Sequence, residues 1–302
     1  MTNNRVCVVG AVNADLVIHV SPLTSVKGYG TGDDFRVQAG GKGLNTALSM
    51  AALAPNQVGF VGKVGDDIFG SFIEESTANS DLRFFHLPKM AGEKTGVGHV
   101  RVRPDGEYDT VVFAGANESL CTADIETFVE TFTGVGFFAT NLEAPVSWLT
   151  DMRERFPSAR ICVNLSPINN RVDVALSVAD LIVLNDAEAR SLTHTSPDES
   201  DEKLLAELRE LTTADIVITR GSDGAVALTA SGQVFHVSAY PVDVVTTVGA
   251  GDSFFAALCV AIAGGASFEG ALDFASRAGA AVAASEENFI THENAVELAL
   301  PV

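Results

Sequence analysis

The sequence predicts an α/β fold with a mostly parallel central sheet that is covered by helices on both faces. Short apolar segments rich in β-branched residues recur along the chain, and each ends at Gly, Asn or Pro. Helix-like segments lie between several of them, which is typical of a three-layer α/β/α domain. Two further segments alternate polar and apolar residues and interrupt this order. They predict a second, small sheet with one open face, a lid over the mouth of the main sheet.

The predicted strands of the main sheet are 6–9, 58–61, 136–139, 160–163, 181–184, 216–219 and 225–228. The predicted helices are 43–54, 69–78, 123–132, 146–155, 201–212, 249–263 and 267–285. We assign 1–12, 38–94 and 114–302 to the α/β domain, and 13–37 and 95–113 to the lid. Ligands of such folds collect at the carboxyl ends of the strands, so motifs at those ends are candidate binding residues.

Composition excludes several classes of partner. The chain has 302 residues, a formal net charge of −20 and a pI near 4.5, which argues against binding nucleic acid or an anionic membrane surface. It does not argue against a nucleotide, because a local anion site overrides net charge. The first strand-like segment begins almost at once and no apolar run reaches membrane-spanning length, so we expect a cytoplasmic protein.

The most informative motif joins two glycines and an acid to the start of an apolar helix. Gly249, Ala250, Gly251 and Asp252 precede an uninterrupted apolar run. Free N–H groups at a helix start attract anions, and glycines let a ligand approach the backbone. A carboxylate beside an anion site fits a base aimed at a hydroxyl that attacks a phosphate. A simple turn with Asp252 as a capping residue is the alternative.

Two motifs near the N-terminus suit recognition of hydroxyl groups. Asn13 and Asp15 follow the first strand and, two positions apart, face the same side of an extended chain. A turn built from Asn and Asp is the alternative. Gly41, Lys42 and Asn45 belong to a glycine-rich loop that enters a helix but lacks the Walker A spacing. A tight strand–helix turn is the alternative there.

Polar residues end three later strands. Glu143 lies at one carboxyl edge, and Asn185 and Glu188 lie at another, where amide and carboxylate oxygens suit magnesium held through its waters. A capping box is the alternative for this pair. The segment 219–224 ends a further strand with close-approach glycines, for which a plain hairpin is the alternative.

These clusters, in this order, resemble the ribokinase-like (PfkB) family of carbohydrate kinases over nearly the whole chain. Two motifs are highly specific together: Gly40-Gly41-Lys42-Gly43 with Asn45, and Gly249-Ala250-Gly251-Asp252. The segments 61–70 and 114–117 are also similar to that family. The resemblance implies the three-layer fold, the β-sheet lid, ATP and Mg²⁺ as cofactors, and a homodimer formed through the lid.

The resemblance also implies roles for individual residues. Asp252 would take the proton from a sugar hydroxyl, with the N–H groups of the 249–252 loop stabilising the transferring phosphoryl group. The sugar would be held by Asn13, Asp15, Gly41, Lys42, Asn45 and Glu143. ATP would be met by Asn185, Thr219, Gly221, Gly224 and Ser276, and magnesium organised by Asn185 and Glu188.

One position departs from the family pattern. Thr246 stands where family members usually carry the Asp that helps to bind an activating monovalent cation. The segment 284–289 also lacks the usual Gly-Ala that supplies carbonyl groups to that cation. We therefore expect little or no activation by potassium. Glu286 could instead supply a buried charge partner in an alternative arrangement.

The expected activity is ATP-dependent phosphorylation of a pentose at its primary hydroxyl, with D-ribose as the leading substrate. Fructose, 2-keto-3-deoxygluconate and adenosine are alternatives. A nucleoside would need an aromatic surface, for which Phe35, Phe113 or Tyr29 are candidates. A sugar-binding protein without catalysis is a third hypothesis, against which the intact Asp252 argues.

Overall fold

The computed structural model describes residues 4–20, 32–103 and 108–298. Its strands are β1 (Arg5–Val9), β2 (Asn13–Val20), β3 (Gly32–Gly40), β4 (Val58–Val61), β5 (Val64–Gly65), β6 (Phe84–His86), β7 (Lys89–Met90), β8 (Gly96–Val102), β9 (Tyr108–Phe113), β10 (Val135–Asn141), β11 (Arg160–Asn164), β12 (Leu181–Asn185), β13 (Asp215–Thr219), β14 (Ala225–Leu228) and β15 (Val234–Val237). Its helices are α1 (Lys42–Leu53), α2 (Ile68–Ala78), α3 (Thr122–Thr131), α4 (Trp148–Arg155), α5 (Val172–Val178), α6 (Asp186–Thr193), α7 (Asp201–Leu211), α8 (Ala250–Ala263), α9 (Phe268–Ala283) and α10 (His292–Leu298).

The main sheet has nine strands in the order β15-β14-β13-β12-β11-β10-β1-β4-β6. The strands from β13 to β6 pair in parallel, and β14 and β15 add an antiparallel edge. The predicted α/β fold class with a mostly parallel sheet is therefore confirmed.

Each face of the main sheet packs against its own helical layer. Val6 and Val8 of β1 enter the core formed with α1, α8 and α9, whereas Cys7 and Val9 enter the core formed with α3, α4 and α7. All four side chains are almost completely buried. Successive side chains of a strand point to opposite faces, so a strand buried on both sides is mostly apolar, as the predicted strands are.

A second sheet of four strands, in the order β3-β2-β8-β9, corresponds to the predicted lid. Cross-strand neighbours share a face, so the pairing of β2 assigns the side chains. Asn13, Asp15 and Val17 lie on one face, which we call the inner face. The opposite, outer face carries Leu16, Ile18, Phe35, Val37, Val97, Val111 and Phe113, a set in which both phenylalanines are more than half exposed.

Some features were not predicted from the sequence. The main ones are the edge strands β6 and β15 and the short helices α5 and α10, which have only three to seven residues. Residues 21–31 and 104–107 of the predicted lid, with Tyr29 among them, lie outside the described residues. The division at 13–37 and 95–113 into lid and α/β domain stays a prediction. Within the described ranges, no helix combines the length and the apolar character needed to cross a membrane.

The topology brings the predicted motifs to one edge. β1, β10, β12 and β13 run in parallel, so the residues that follow them lie at the same carboxyl edge of the sheet. Helices α1 and α8 pack beside each other, and both also contact β1 and β10 of the sheet. Segments far apart in the chain therefore converge on one site.

Candidate active site

The N-terminus of α8 forms the first part of the site. Gly249 precedes the helix with a φ of 78°, in the left-handed region that favours glycine. A Cβ at this position would lie 1.9 Å from the backbone oxygen of Asn288. Gly251 differs, since no described atom lies within 4 Å of a Cβ built there. First-turn N–H groups have no intrahelical acceptor, so this helix start has both the donors and the space to receive an anion.

Asp252 lies in the first turn of α8 and is 5% exposed. Its Oδ1 atom has no hydrogen-bond partner among the described residues, and the Nζ atom of Lys42 lies 3.6 Å from it. Burial raises the pKa of Asp252, while the charge of Lys42 and a hydrogen bond from the Asn45 side chain oppose this rise. A buried carboxylate oxygen that lacks a partner beside an anion site can accept a proton from a bound hydroxyl.

Glu143 connects the loop after β10 to the start of α1. The backbone N–H of Lys42 donates to Glu143 Oε2 at 2.9 Å, and the N–H of Glu143 donates to Asn141 Oδ1 at 3.0 Å. Burial raises the pKa of Glu143, against the nearby charge of Lys42. Lys42 itself has a raised pKa, chiefly because of Asp252 and also because of Glu143. The ammonium group of Lys42 therefore stabilises the ionised forms of both Asp252 and Glu143.

Asp15 and Asn13 lie on the inner face of the lid in a space made by glycines. A Cβ at Gly40 would lie 1.9 Å from Asp15 Oδ2, and one at Gly98 would lie 2.2 Å from Asp15 Oδ1. A Cβ at Gly96 would lie 2.2 Å from Asn13 Oδ1. Any larger residue in the neighbouring strands would displace these side chains. No role was predicted for Gly96 and Gly98, although their spacing of two places both on one face of a strand.

Asn117 is a residue of the site that the sequence analysis quoted without assigning a role. It is 1% exposed, and its Nδ2 atom donates to Asn13 Oδ1 at 2.9 Å and to the backbone oxygens of Val12 and Ala114 at 3.1 and 2.9 Å. Its Oδ1 atom accepts from the N–H of Val12 at 2.9 Å. Because Asn13 Oδ1 is an acceptor for Asn117, the Asn13 amide presents its N–H groups elsewhere, as a donor to a ligand.

Three carboxyl groups therefore share one ammonium. Burial, followed by the negative charge of Glu143, raises the pKa of Asp15 to about 7, and Asp252 adds to the rise. The backbone N–H of Gly41 and the charge of Lys42 oppose it. The structure thus brings together Asp15, Lys42, Glu143 and Asp252, each from a different segment of the chain. Perturbed acids gathered in one cleft are typical of a functional site.

Three of the residues predicted to meet a nucleotide line one cavity of about 450 Å³: Asn185, Thr219 and Gly221. Asn185 and Thr219 are direct neighbours at the ends of β12 and β13. Gly221 has a φ of 55° and faces open space in the described structure. Arg220, between the last two, also lines the cavity and is held by Asp201 at 2.6 Å. The cavity thus combines the ends of β12 and β13 with a backbone segment at Gly221 that a ligand can contact.

Asn185 and Glu188, the predicted magnesium pair, form a capping box at the start of α6. The N–H of Glu188 donates to Asn185 Oδ1 at 2.8 Å, and the N–H of Asn185 donates to Glu188 Oε2 at 3.0 Å. The structural alternative named for this pair is therefore present. Each of these oxygens keeps a second lone pair, so a role toward magnesium stays a prediction.

Two other predicted nucleotide residues are not among those that line this cavity. A Cβ at Gly224 would lie 2.0 Å from the backbone oxygen of Val237, so close packing against β15 requires this glycine. The hydroxyl of Ser276 donates to the backbone oxygen of Ser238 at 3.0 Å. Their roles toward ATP stay predictions.

Thr246 lines a small cavity of about 70 Å³ together with Arg36 of the lid and Glu286. The Thr246 hydroxyl accepts from the N–H of Val248 at 3.2 Å. Glu286 does not provide the buried charge that the alternative arrangement required, because its side chain is 74% exposed. Its Oε2 atom lies 3.6 Å from Arg36 Nη1. The guanidinium group of Arg36 therefore lines the cavity next to Thr246.

We predict that Asp15→Asn stabilises the protein at neutral and higher pH. The carboxyl pKa is raised from 3.8 to about 7 on folding, so ionised Asp15 destabilises the fold, and the cost appears as pH rises from about 4 to 7. Thermal unfolding at pH 8 should show a melting temperature higher by roughly 2–5 °C, with the difference disappearing near pH 4. Asp173→Asn, at an exposed position of α5, serves as the control. Equal melting temperatures of Asp15→Asn and parent at pH 8 would contradict the prediction.

Comparison with known proteins agrees with this geometry. Residues 3–290 match the model of the pfkB family carbohydrate kinases. The chain is 30% identical over 280 residues to the ribokinase of Bacillus subtilis, a match that covers 91% of each chain.

Solved structures share the fold. Ribokinase from Giardia lamblia superposes with a TM-score of 0.85 at 22% identity, covering 97% of this chain and 99% of that one. Arabidopsis thaliana ribokinase, solved with ribose and ATP, gives a TM-score of 0.82 at 24% identity, covering 97% and 98%. With nearly the whole sequence matched and the predicted motifs gathered at one edge of the sheet, the chain belongs to the pfkB family of carbohydrate kinases.

Proposed function

We propose that this protein transfers the γ-phosphoryl group of ATP to the primary hydroxyl of D-ribose, giving ribose 5-phosphate. The single observation that carries the proposal is the unpartnered Oδ1 atom of the buried Asp252, next to the free start of α8. D-Ribose is favoured because the Bacillus subtilis relative at 30% identity is a ribokinase.

Each group of the site has a place in this reaction. Asp252 accepts the proton of the attacking hydroxyl, and the nearby Lys42 favours its ionised form. The N–H groups at the start of α8 stabilise charge on the transferring group, as preorganised donors do. Asn13 donates to a sugar hydroxyl, while Asp15 and Glu143 accept from others. Catalysis then depends on positioning and electrostatics.

ATP and magnesium fit the part of the carboxyl edge formed by the ends of β12 and β13. The described residues contain no group of three or more His, Cys, Asp or Glu that could hold a metal ion by themselves. This suits Mg²⁺, which keeps several waters and binds mainly through phosphates with one or two protein oxygens. Asn185 and Glu188 would hold it through water, and the ion supplies neutralisation of phosphate charge. Because the reaction consumes ATP, we also propose a cytoplasmic location.

The geometry gives less support to a nucleoside substrate. Phe35 and Phe113, two of the candidate stacking residues, lie on the outer face of the lid, opposite Asn13 and Asp15. Tyr29 lies outside the described residues. Another sugar remains the main alternative, because the inner face offers hydrogen-bonding groups that many sugars share.

A substrate panel with ATP and Mg²⁺ tests the proposal. D-Ribose should give the highest kcat/KM among ribose, deoxyribose, fructose, 2-keto-3-deoxygluconate and adenosine. Asp252→Asn should lower kcat by about 10²–10⁴, because the base is lost while the shape is kept. Asp173→Asn, at an exposed position of α5, should keep the parental rate. Full activity of Asp252→Asn would refute the mechanism, and sugar binding without turnover would favour a non-catalytic protein.

We expect little or no stimulation by potassium. Thr246 offers no negative charge to a cation, and Arg36 already brings a guanidinium to the same cavity. Initial rates in potassium chloride should therefore equal those in choline chloride of the same ionic strength. Strong stimulation by potassium would overturn this expectation.

We also propose a homodimer that buries the outer face of the lid. The support is the apolar row on that face, with Phe35 and Phe113 each 57% exposed. The double variant Phe35→Asp/Phe113→Asp should be monomeric in sedimentation velocity if the parent is a dimer. Val296→Asp, an exposed apolar position on α10, is the matched control. A monomeric parent, or a dimer that survives the double change, would contradict the proposal.

A further inference from the structure

A segment remote in sequence, 288–290, is hydrogen-bonded to α1 at two points, and one of these points is in turn hydrogen-bonded to α8. The Nδ2 atom of Asn288 donates to Asn45 Oδ1 of α1 at 3.2 Å. Two residues later, the N–H of Ile290 donates to Ser49 Oγ at 3.0 Å, and Ser49 Oγ lies 3.2 Å from Ser253 Oγ of α8. Asn288 and Asn45 are 3% and 5% exposed, so the bond between them is shielded from water.

The backbone of this segment also packs against the catalytic loop. The carbonyl group of Asn288 occupies the space that a side chain at Gly249 would need. Asn288 therefore touches the loop before Asp252 through its backbone and α1 through its side chain. Its position is fixed on both sides.

The orientation of the Asn45 amide follows from this contact. When Asn45 Oδ1 accepts from Asn288, the Asn45 NH₂ group points away from Asn288 and is available to Asp252, whose pKa the Asn45 side chain lowers. If both amides turned over together, they would still bond each other. The Asn45 oxygen would then face the Asp252 carboxylate, which is favourable only when Asp252 is protonated.

We propose that Asn288 is a positioning residue that, through Asn45, keeps an N–H donor on Asp252 and so keeps the base in its proton-accepting form. The inference rests on the proposed function, since it assigns Asp252 the role of base. Asn288 itself touches neither the sugar nor ATP in this assignment. It acts only through Asn45.

Other charged groups near Asp252 also influence its protonation and must stay constant in a test. Lys42 of α1, Glu143 after β10 and Asp15 of the lid all face this cluster, and none of them is changed by substitution at Asn288. A shift in the protonation of Asp252 in such variants can therefore be assigned to the contact with Asn45 or to charge added at position 288.

The test is the pH dependence of kcat in Asn288→Asp and Asn288→Leu. An aspartate at 288 can only accept, so it draws the Asn45 NH₂ group away from Asp252 and raises the pKa of the base. The acidic limb of the kcat profile should move up by about one pH unit. Leucine removes the donor without adding charge, so Asn45 is no longer held in one orientation. Its limb should move in the same direction by a smaller amount.

Ser49→Ala is the matched control. It loosens the same segment by removing the acceptor for Ile290, but leaves the Asn288–Asn45 bond in place. It should lower the melting temperature without moving the acidic limb. If the leucine variant does not fold, Asn288→Ala removes the same donor with less volume and takes its place.

The outcomes separate the two proposals. An unshifted limb in the uncharged variant would overturn the positioning role, because a shift confined to Asn288→Asp would then reflect added charge alone. Equal shifts in Ser49→Ala and the uncharged variant would also overturn it, as a general effect of loosening. An Asp252→Asn variant with parental kcat would instead refute the proposed base, whatever the variants at 288 show.

Discussion

The site depends on one electrostatic constraint, the sharing of a single ammonium by two buried carboxyl groups and one partly buried one. The Nζ atom of Lys42 lies 3.6 Å from Asp252 Oδ1, and the backbone N–H of Lys42 donates to Glu143. The charges of all three residues change the pKa of Asp15. In water these acids would ionise freely, but burial makes each charge depend on the others. The elements that carry them must therefore be placed accurately, and the fold does so at the carboxyl edge of a rigid parallel sheet.

Glycine makes this placement possible at several points. Gly40 and Gly98 leave the space that Asp15 fills, Gly96 leaves the space for Asn13, and Gly249 allows the backbone of Asn288 to approach the catalytic loop. Two of these glycines belong to motifs visible in the sequence. The other two lie in β8, where a spacing of two indicates only that both point to the same face.

The sequence predicts the sheet well because its strands are buried on both faces. Segments such as 6–9 and 181–184 are apolar throughout, which is typical of short strands in a parallel sheet. The edge strand β15 was missed because only one of its faces packs, so its pattern is weak. The capping box of Asn185 and Glu188 was foreseen, but sequence alone does not separate it from a ligand site. The roles of Asn117 and Asn288 were not predictable, since their partners Asn13 and Asn45 lie 104 and 243 residues away.

The two faces of β2 carry different properties at alternate positions. Asn13 and Asp15 face the site, whereas Leu16 and Ile18 belong to the apolar outer face, and the same alternation continues in β3 and β8. A shift of register by one residue would exchange the two faces of the strand and carry Asp15 to the outside. Insertion or deletion of a single residue that is not absorbed by a bulge would therefore displace the proposed sugar ligands and the apolar outer residues together. The lid can vary its side chains at one face independently of the other, whereas a change of strand length by one residue keeps both faces only where a bulge absorbs it, as at the irregularity between His19 and Val20.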